Sequence, residues 1–430
     1  MEPTIERQGS GFKLEWPSRN VTMRVRRIKP RGFKAEVAVL LNDQPVHRSN
    51  PTLDSVSGMD AFARKLNRRR PLDDYGVDWE QIVEDMSGIV IDTVRTGEPA
   101  VKIRDVDLTD AVSWRIENVV LDNSCTLIWA DGGTGKSMFA TFLSVLAQEG
   151  HMSSEHGLIV EPSNVLFLDF ETNQREIGHR IRMIHAGLGM DSTDTQHTNS
   201  NITYNKMVGN LSDHEDYIRD LIWEHNIHMV VIDSMGRAIN GELNSEEAVI
   251  PFFDTIERLN TTVLLISHSN KQGTLFGSAY TNNSARLVWE AKRSSSGKTN
   301  MDFSLFCRKA NNVPIQQPQS WGVDFSNDKA VYTRKDVFET EDAGGLSYMN
   351  LVYSILKEDG KRSRDYLKER IKELKPKDER GREIPTERTE RNVDTAISKQ
   401  KSKGAVIESN DGELALSQQT SEESESWQSI

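Results

Sequence analysis

The central part of the chain, residues 96–335, alternates short apolar runs with longer amphipathic stretches. A helical run covers residues 138–148, after the first strand and the glycine-rich segment that follows it. Strands that alternate with helices indicate a mostly parallel sheet flanked by helices, so this region is predicted to have an α/β fold. The clearest apolar runs, each predicting a buried strand, are residues 126–130, 165–169, 229–233 and 263–267.

Residues 1–95 predict a small separate α+β unit. The alternation of apolar and polar residues over 21–26 is typical of a half-buried strand, and residues 35–41 predict another. Residues 58–69 predict a helix, and Asp78 is a suitable N-cap for a second one. The unit also carries basic stretches that could bind nucleic acid, although it could equally mediate oligomerisation.

The C-terminal part of the chain predicts a third unit, residues 347–417, with three helices and a hairpin. An acidic and then glycine-rich linker, 336–346, precedes it. Ser363 and Thr389 are candidate N-caps of the second and third helices. Residues 418–430 form a tail that is too polar and acidic to fold by itself.

Composition narrows the classes of protein that fit. The 430 residues suffice for two or three domains, and no apolar stretch approaches the roughly 18 residues of a membrane span. No secretory signal is visible, and the only two cysteines have no zinc-site spacing, which favours a cytoplasmic location. The net charge of −12 argues against a chain coated in phosphate-binding charge, but local basic patches could still bind DNA.

The segment ADGGTGKS, residues 130–137, lies between a predicted strand and a predicted helix. This context is the one that a Walker A phosphate loop requires, with backbone N–H groups and a helix N-terminus around the phosphates of ATP. Lys136 is expected to reach the β and γ phosphates and Ser137 to bind Mg²⁺. Ala130 replaces the usual first glycine, which alanine tolerates unless φ is positive. The residues predicted to bind the nucleotide are Asp131, Gly132, Gly133, Thr134, Gly135, Lys136, Ser137 and Met138.

Polar residues at the ends of the other strands complete a candidate hydrolytic site, because ligands bind at the carboxyl ends of strands in open α/β sheets. Glu171 is the candidate general base, with Asp169 as its competitor. Asp233 follows four apolar residues, a Walker B pattern, and is expected to hold Mg²⁺. His268 ends the next strand and could sense the γ-phosphate, although a lone histidine is often structural.

This order of motifs resembles the RecA/DnaB superfamily, and most closely the RepA-like hexameric helicases of plasmids and their AAA-labelled relatives. The resemblance covers about residues 115–315 and is carried by ADGGTGKS, VLFLDFETNQREIGHRI, MVVIDSMGRAINGELNS, VLLISHSNK and FGSAYTNNSARLVWEAKR. It implies a RecA-like fold, ATP hydrolysis at the interfaces of a homo-oligomer such as a hexameric ring, and loops that face single-stranded DNA.

The resemblance also implies residues that act outside the phosphate loop. Arg308 and Lys309 are candidate fingers for a neighbouring site, with Arg286 in reserve because Ala310 occupies the usual arginine position. The loop 270–283 lies where DNA-contacting loops occur. Its candidate DNA contacts are Lys271, Phe276 and Tyr280.

The C-terminal unit resembles a winged helix in its helix count and terminal hairpin. Its third helix would present Arg388, Arg391, Thr395 and Lys399 to DNA. The hairpin is acidic, however, and would repel phosphate, so docking to a protein is the alternative.

Three functions therefore remain open: a DNA helicase or translocase, an ATP-gated DNA-binding switch that does not unwind, and a nucleotide-gated regulator of protein partners. A small-molecule kinase is disfavoured because Glu171 is placed to activate water.

Overall fold

The computed structural model describes residues 3–29, 32–69, 77–97, 100–105, 112–150, 156–190, 200–239, 241–243, 245–270, 275, 277, 279–297, 299–335, 348–376, 383–402, 404–409 and 411–417. The predicted linker, the acidic tail, Lys271 and Phe276 lie outside these residues. No helix within the described ranges is both long and apolar enough to cross a bilayer.

The N-terminal residues form an antiparallel sheet of five strands in sequential order, with two helices packed on one face. Asp78 caps the second helix as predicted, accepting hydrogen bonds from the backbone N–H groups of Glu80 and Gln81. The first, second and fifth strands were not predicted from the pattern. The elements are β1 (Thr4–Gln8), β2 (Gly11–Trp16), β3 (Val21–Lys29), β4 (Lys34–Leu41), β5 (Gln44–Ser49), α1 (Val56–Arg69) and α2 (Trp79–Thr96).

The central region is built on a sheet of nine strands, which confirms the predicted α/β class. Its strands are β8 (Cys125–Ala130), β9 (Val165–Asp169), β10 (Thr203–Lys206), β11 (Met229–Asp233), β12 (Thr262–His268), β13 (Leu287–Ser296), β14 (Asn300–Ala310), β15 (Gln319–Asp324) and β16 (Val331–Lys335), and a short hairpin, β6 (Trp114–Ile116) with β7 (Val120–Leu121), precedes them. The helices are α3 (Lys136–Glu149), α4 (Gln174–Gly187), α5 (Glu215–Glu224), α6 (Met235–Ala238), α7 (Glu246–Leu259) and α8 (Ala279–Ser284).

The strand order is β10-β9-β11-β12-β8-β13-β14-β15-β16. The first six strands in this order are parallel, whereas β14, β15 and β16 are antiparallel additions at one edge. The strand before the phosphate loop, β8, is separated from β11 by β12. In register, Asp233 lies beside Asp169, and His268 lies beside Ala130. The strand ends that carry the candidate chemistry are therefore neighbours.

Both faces of this sheet are covered by apolar cores. On one face, α3 packs its aromatic side chains against the antiparallel edge. The Phe142 ring stacks on Tyr332 with centroids 3.9 Å apart, and Phe139 contacts Phe303 edge-on at 5.1 Å. Because α3 begins at the phosphate loop, this packing fixes the loop relative to the added strands.

The C-terminal residues form three helices and a three-stranded antiparallel sheet of order β17-β19-β18. Ser363 caps the second helix as predicted, but Thr389 does not cap the third, which begins earlier and buries Thr389. Phe306 of β14 belongs to the apolar core of this unit. The elements are α9 (Tyr348–Asp359), β17 (Arg362–Ser363), α10 (Arg364–Glu373), α11 (Thr386–Ser402), β18 (Val406–Glu408) and β19 (Glu413–Leu416).

The N-terminal sheet contacts the acidic helix α5 of the central region. The buried Asp220 carboxylate accepts a hydrogen bond from the Ser10 backbone N–H at 2.9 Å. Arg26 of β3 pairs with Glu224 at 3.1 Å, and Lys29 lies 3.9 Å from Asp216. Arg26 and Lys29 belong to a basic stretch that the sequence offered for nucleic-acid binding, and both thus lie against carboxylates of α5.

Candidate active site

The phosphate loop connects the end of β8 to the start of α3. Ala130 is not in the positive-φ region, so alanine fits the position of the usual first glycine. Gly133 and Gly135 have φ values of 76° and 93°, which favour glycine. A Cβ atom on Gly135 would also lie 2.3 Å from the Cε of Met301. The two glycines are therefore required by the backbone, and one of them also by close packing.

Lys136 is buried at the first position of α3 and points into the loop. Its Nζ donates hydrogen bonds to the carbonyl oxygens of Ala130 at 2.9 Å and Asp131 at 2.8 Å. Burial lowers the pKa of Lys136, while the carboxylates of Asp233, Glu171 and Asp131 oppose that change. The ammonium group is thus held by neutral oxygens, among carboxylates, where it can exchange those partners for phosphate oxygens.

Asp233 and Ser137 form the part of the site that could hold a metal ion. Asp233 ends β11 and is 1% exposed, and its carboxylate interacts with the side chain of Ser137. The Oδ1 atom of Asp233 is buried without a hydrogen-bond partner among the described residues. Burial, with a smaller effect of Glu171, raises the pKa of Asp233 to about 6. A buried carboxylate oxygen that lacks a partner, beside a hydroxyl at a phosphate loop, fits Mg²⁺.

Glu171 lies two residues beyond β9 and is held by the ends of two other strands. Its Oε1 accepts a hydrogen bond from the Ser234 hydroxyl and contacts His268 Nε2 at 3.1 Å. The hydrogen bond from His268 is the largest cause that lowers the pKa of Glu171 to about 2, and burial opposes it. Glu171 is therefore ionised at neutral pH, and Ser234 and His268 orient its side chain.

Asp169, the alternative base, has both carboxylate oxygens occupied by hydrogen bonds within the fold. It is fully buried and accepts hydrogen bonds from the backbone N–H groups of Glu171 and Thr172, both at 2.8 Å. Its other oxygen accepts from the hydroxyls of Thr172 at 2.9 Å and Tyr204 at 2.8 Å. Burial raises the pKa of Asp169, but these hydrogen bonds outweigh it and lower the value overall. Asp169 thus fixes the turn that carries Glu171 and has no oxygen left for water.

The end of β12 connects the two sides of the site. His268 contacts Glu171, while the next residue, Ser269, donates its hydroxyl to Asp131 of the phosphate loop. The backbone N–H of Ser269 also donates to the Ala130 carbonyl at 3.0 Å. A shift of this strand end would consequently move the candidate base and the loop together.

The structure thus brings the predicted residues Lys136, Glu171, Asp233 and His268 to one edge of the sheet. Three contacting residues were missed from the sequence: Ser234, Ser269 and Arg293. The first two directly follow predicted site residues, so their position was a usable signal. Arg293 extends from β13, and nothing in the local pattern indicated that it would reach Gly133.

The candidate fingers lie on β14 and beside β13, and two of them have partners within the chain. Lys309 Nζ donates to the carbonyls of Asn282, Asn283 and Ala285, at 2.7–2.8 Å, at the end of α8. Arg308 Nε donates to Glu290 at 2.6 Å. Arg286, the reserve candidate, is exposed.

The described candidates for DNA contact lie on helices. Tyr280 is 39% exposed and belongs to α8, so part of the region predicted as a loop is helical. Arg391 and Lys399 are exposed on α11, as are Arg388 and Thr395. Lys271 and Phe276 are outside the described residues.

Comparisons with known proteins bear on the central region. Residues 97–274, less than half of the chain, match the family model described as AAA domain. A KaiC-like protein from the hyperthermophilic archaeon Pyrococcus horikoshii OT3 is similar in structure, with 16% identity and a TM-score of 0.36 over 54% of this chain and 99% of that one. No curated protein sequence matches the chain. The family match covers the phosphate loop and the strand ends that carry Glu171, Asp233 and His268, and it supports a P-loop NTPase domain in this region.

Proposed function

We propose that the chain hydrolyses ATP with Mg²⁺ and couples hydrolysis to DNA binding. The observation that carries the ATPase part is the convergence of Glu171, Asp233 and Lys136 at neighbouring strand ends around the phosphate loop. Glu171 would polarise the attacking water, because it is ionised and held in place by Ser234 and His268. Lys136 would exchange its carbonyl partners for the β and γ phosphates.

Ser137 and Asp233 would hold the metal ion through the hydroxyl and the unpartnered Oδ1. When bound there, Mg²⁺ would offset charge on the phosphates. The test of this part is turnover by the full-length protein and by Lys136→Ala, with fluorescent ATP binding measured in parallel. Wild-type binding and turnover in Lys136→Ala would refute the proposed site.

The DNA-binding part is supported by the C-terminal unit. The three helices and the sheet of order β17-β19-β18 are compatible with a winged helix, in which α11 would be the recognition helix. Helical periodicity places the exposed residues Arg388, Arg391, Thr395 and Lys399 on one face, and the exposed carboxylate of Glu387, one turn before Arg391, lies at its edge.

The acidic residues that spoke against DNA binding are partly neutralised within this unit. Glu408 forms an ion pair with Lys401, and the Nζ of Lys361 lies 3.1 Å from a carboxylate oxygen of Glu413. Asp394, on another face of α11, pairs with Lys368 at 2.9 Å and with Arg364 at 3.3 Å. The exposed basic face therefore has less competition from carboxylates than the sequence suggested.

Charge reversal tests this surface. Arg391→Glu with Lys399→Glu should weaken DNA binding and reduce its dependence on salt. The reason is that binding releases fewer counterions from DNA when fewer phosphates are contacted. Lys357→Glu, at an exposed residue of α9, is a control that reverses one charge in the same unit but on another helix. Equal DNA affinity in the double variant and the control would redirect the proposal to a protein partner.

We also propose that the protein works as a homo-oligomer with Arg286 as the finger, since Arg308 and Lys309 already have partners. A finger acts on the neighbouring subunit, so mixing Arg286→Ala with Lys136→Ala should restore some turnover to two variants that lack it alone. Mass photometry with a non-hydrolysable ATP analogue and DNA measures the assembly. A monomer under these conditions, with no recovery on mixing, would refute the oligomer.

Helicase activity is the narrower form of the proposal, and an ATP-gated switch is the alternative. Single-stranded DNA should raise turnover in both cases. Strand displacement separates them: a helicase displaces the complementary strand in an ATP-dependent reaction, whereas a switch binds DNA without doing so.

A further inference from the structure

The hairpin of β13 and β14 projects over the phosphate loop. β13 runs parallel to β8, with Glu290 beside Trp129, and then continues to Ser296 while β8 ends at Ala130. The six residues after Glu290 therefore lie at the level of the loop. Met301 of β14, which pairs with Ser296, packs against Gly135 from the same hairpin.

Arg293 of this extension contacts the loop directly. Its Nη1 donates a hydrogen bond to the Gly133 carbonyl at 2.9 Å, and the side chain is exposed. A guanidinium has five N–H donors. Charge-assisted hydrogen bonds to phosphate are roughly twice as strong as those to a neutral carbonyl. Arg293 is therefore near the loop with a partner that a phosphate could replace.

The charges in the site favour that exchange. Lys136 already interacts with three carboxylates, those of Asp233, Glu171 and Asp131. Arg180 also acts on Asp233, and Arg237 acts on Glu171. A bound polyphosphate adds further negative charge at the same loop, so the carboxylates and phosphates would outnumber these three cations even with a divalent cation present. A further cation from the same chain, at Gly133, would reduce this imbalance.

We propose that Arg293 binds the polyphosphate of the nucleotide in the same subunit, exchanging the Gly133 carbonyl for phosphate oxygens. This inference rests on the proposed ATPase function and adds a second cation to its phosphate loop. Arg293 acts within its own subunit, which distinguishes it from the finger residues that would reach a neighbour.

The adjacent lysine provides a matched control. Lys292 precedes Arg293 in the strand and so points to the other face of the sheet. There its Nζ lies 5.6 Å from the centroid of the Phe306 ring and 3.4 Å from Glu290. Lys292→Gln removes one positive charge next to Arg293, without touching the phosphate loop.

The experiment measures binding of fluorescent ATP to full-length protein, with inorganic tripolyphosphate and adenosine as competitors. Arg293→Gln keeps an N–H donor for Gly133 but removes the charge. It should raise the dissociation constants of ATP and tripolyphosphate by about tenfold or more and leave that of adenosine unchanged. Arg293→Lys should recover part of the tripolyphosphate affinity, and Lys292→Gln should match the wild type.

Several results would overturn the inference. Wild-type tripolyphosphate affinity in Arg293→Gln would show that the side chain only contacts the backbone of the loop. A loss for ATP without a loss for tripolyphosphate would assign Arg293 to the base or ribose instead. Thermal unfolding of each variant checks that the fold is intact. If Arg293→Lys binds tripolyphosphate no more tightly than Arg293→Gln does, a charge-based role is also contradicted. If Lys136→Ala binds ATP like the wild type, the proposed site itself fails, and this inference fails with it.

Discussion

Replacing Glu171 with glutamine tests which carboxylate activates water. The change removes the negative charge but keeps the side-chain shape and an oxygen that can accept from Ser234 and His268. The nucleotide should still bind, because Glu171 is not a residue of the phosphate loop. Turnover should fall about 10²–10⁴-fold, the usual contribution of a general base. That factor corresponds to about 2.7–5.5 kcal/mol of activation free energy.

Asp169→Asn is the comparison variant, because Asp169 is the alternative candidate for the general base. The amide oxygen can still accept from the backbone N–H groups of Glu171 and Thr172, but the amide NH₂ replaces the acceptor of two hydroxyl groups. We expect the free energy of unfolding to fall by roughly 1–3 kcal/mol, because buried hydrogen bonds are lost. Turnover should remain well above that of Glu171→Gln.

Single-turnover phosphate release, measured with saturating ATP and Mg²⁺, separates the chemical step from binding. Urea unfolding of both variants gives the stability changes. Near-normal phosphate release in Glu171→Gln, with a large loss in a folded Asp169→Asn, would transfer the role of base to Asp169 and refute the reasoning from hydrogen-bond occupancy.

Three further predictions concern the contacts between units and the edge of the sheet. Phe306→Ala should lower the stability of the C-terminal unit by about 3 kcal/mol, measured as faster hydrogen exchange in its core. Unchanged exchange would show that Phe306 does not stabilise this core. Asp220→Ala should lower the free energy of unfolding by roughly 1–3 kcal/mol, and with it the urea midpoint, because the buried N–H of Ser10 loses its acceptor. An unchanged midpoint would show that this contact does not stabilise the fold. Asp122, whose pKa is lowered because hydrogen bonds from Thr262, Arg115 and Ser113 outweigh burial, stabilises the fold above its unfolded pKa near 3.9. Asp122→Asn should therefore destabilise the fold at pH 7 and approach the wild type as pH falls below about 4. A difference in stability that stays constant with pH would disprove the explanation by hydrogen bonds to the ionised carboxylate.

The sequence alone determined the parts of the protein in which function depends on neighbouring residues along the chain. A phosphate loop is a local backbone structure, so glycines, Lys136 and Ser137 between a strand and a helix were sufficient to predict it. Strand-ending acids were equally visible, because parallel strands deliver their carboxyl ends to one edge of a sheet. The pattern did not show that β14, β15 and β16 run antiparallel, since a buried strand looks alike in either direction.

Only the tertiary structure decided which of two nearby carboxylates is free to act. Asp169 and Glu171 are two residues apart, and their roles separate because Tyr204 and Thr172 occupy one while Ser234 and His268 orient the other. Distance along the chain likewise hid the contact of Arg293 with Gly133, and the partners that hold Lys309. A sequence records which groups are present, but these hydrogen bonds depend on segments that folding brings together from 24 to 160 residues away.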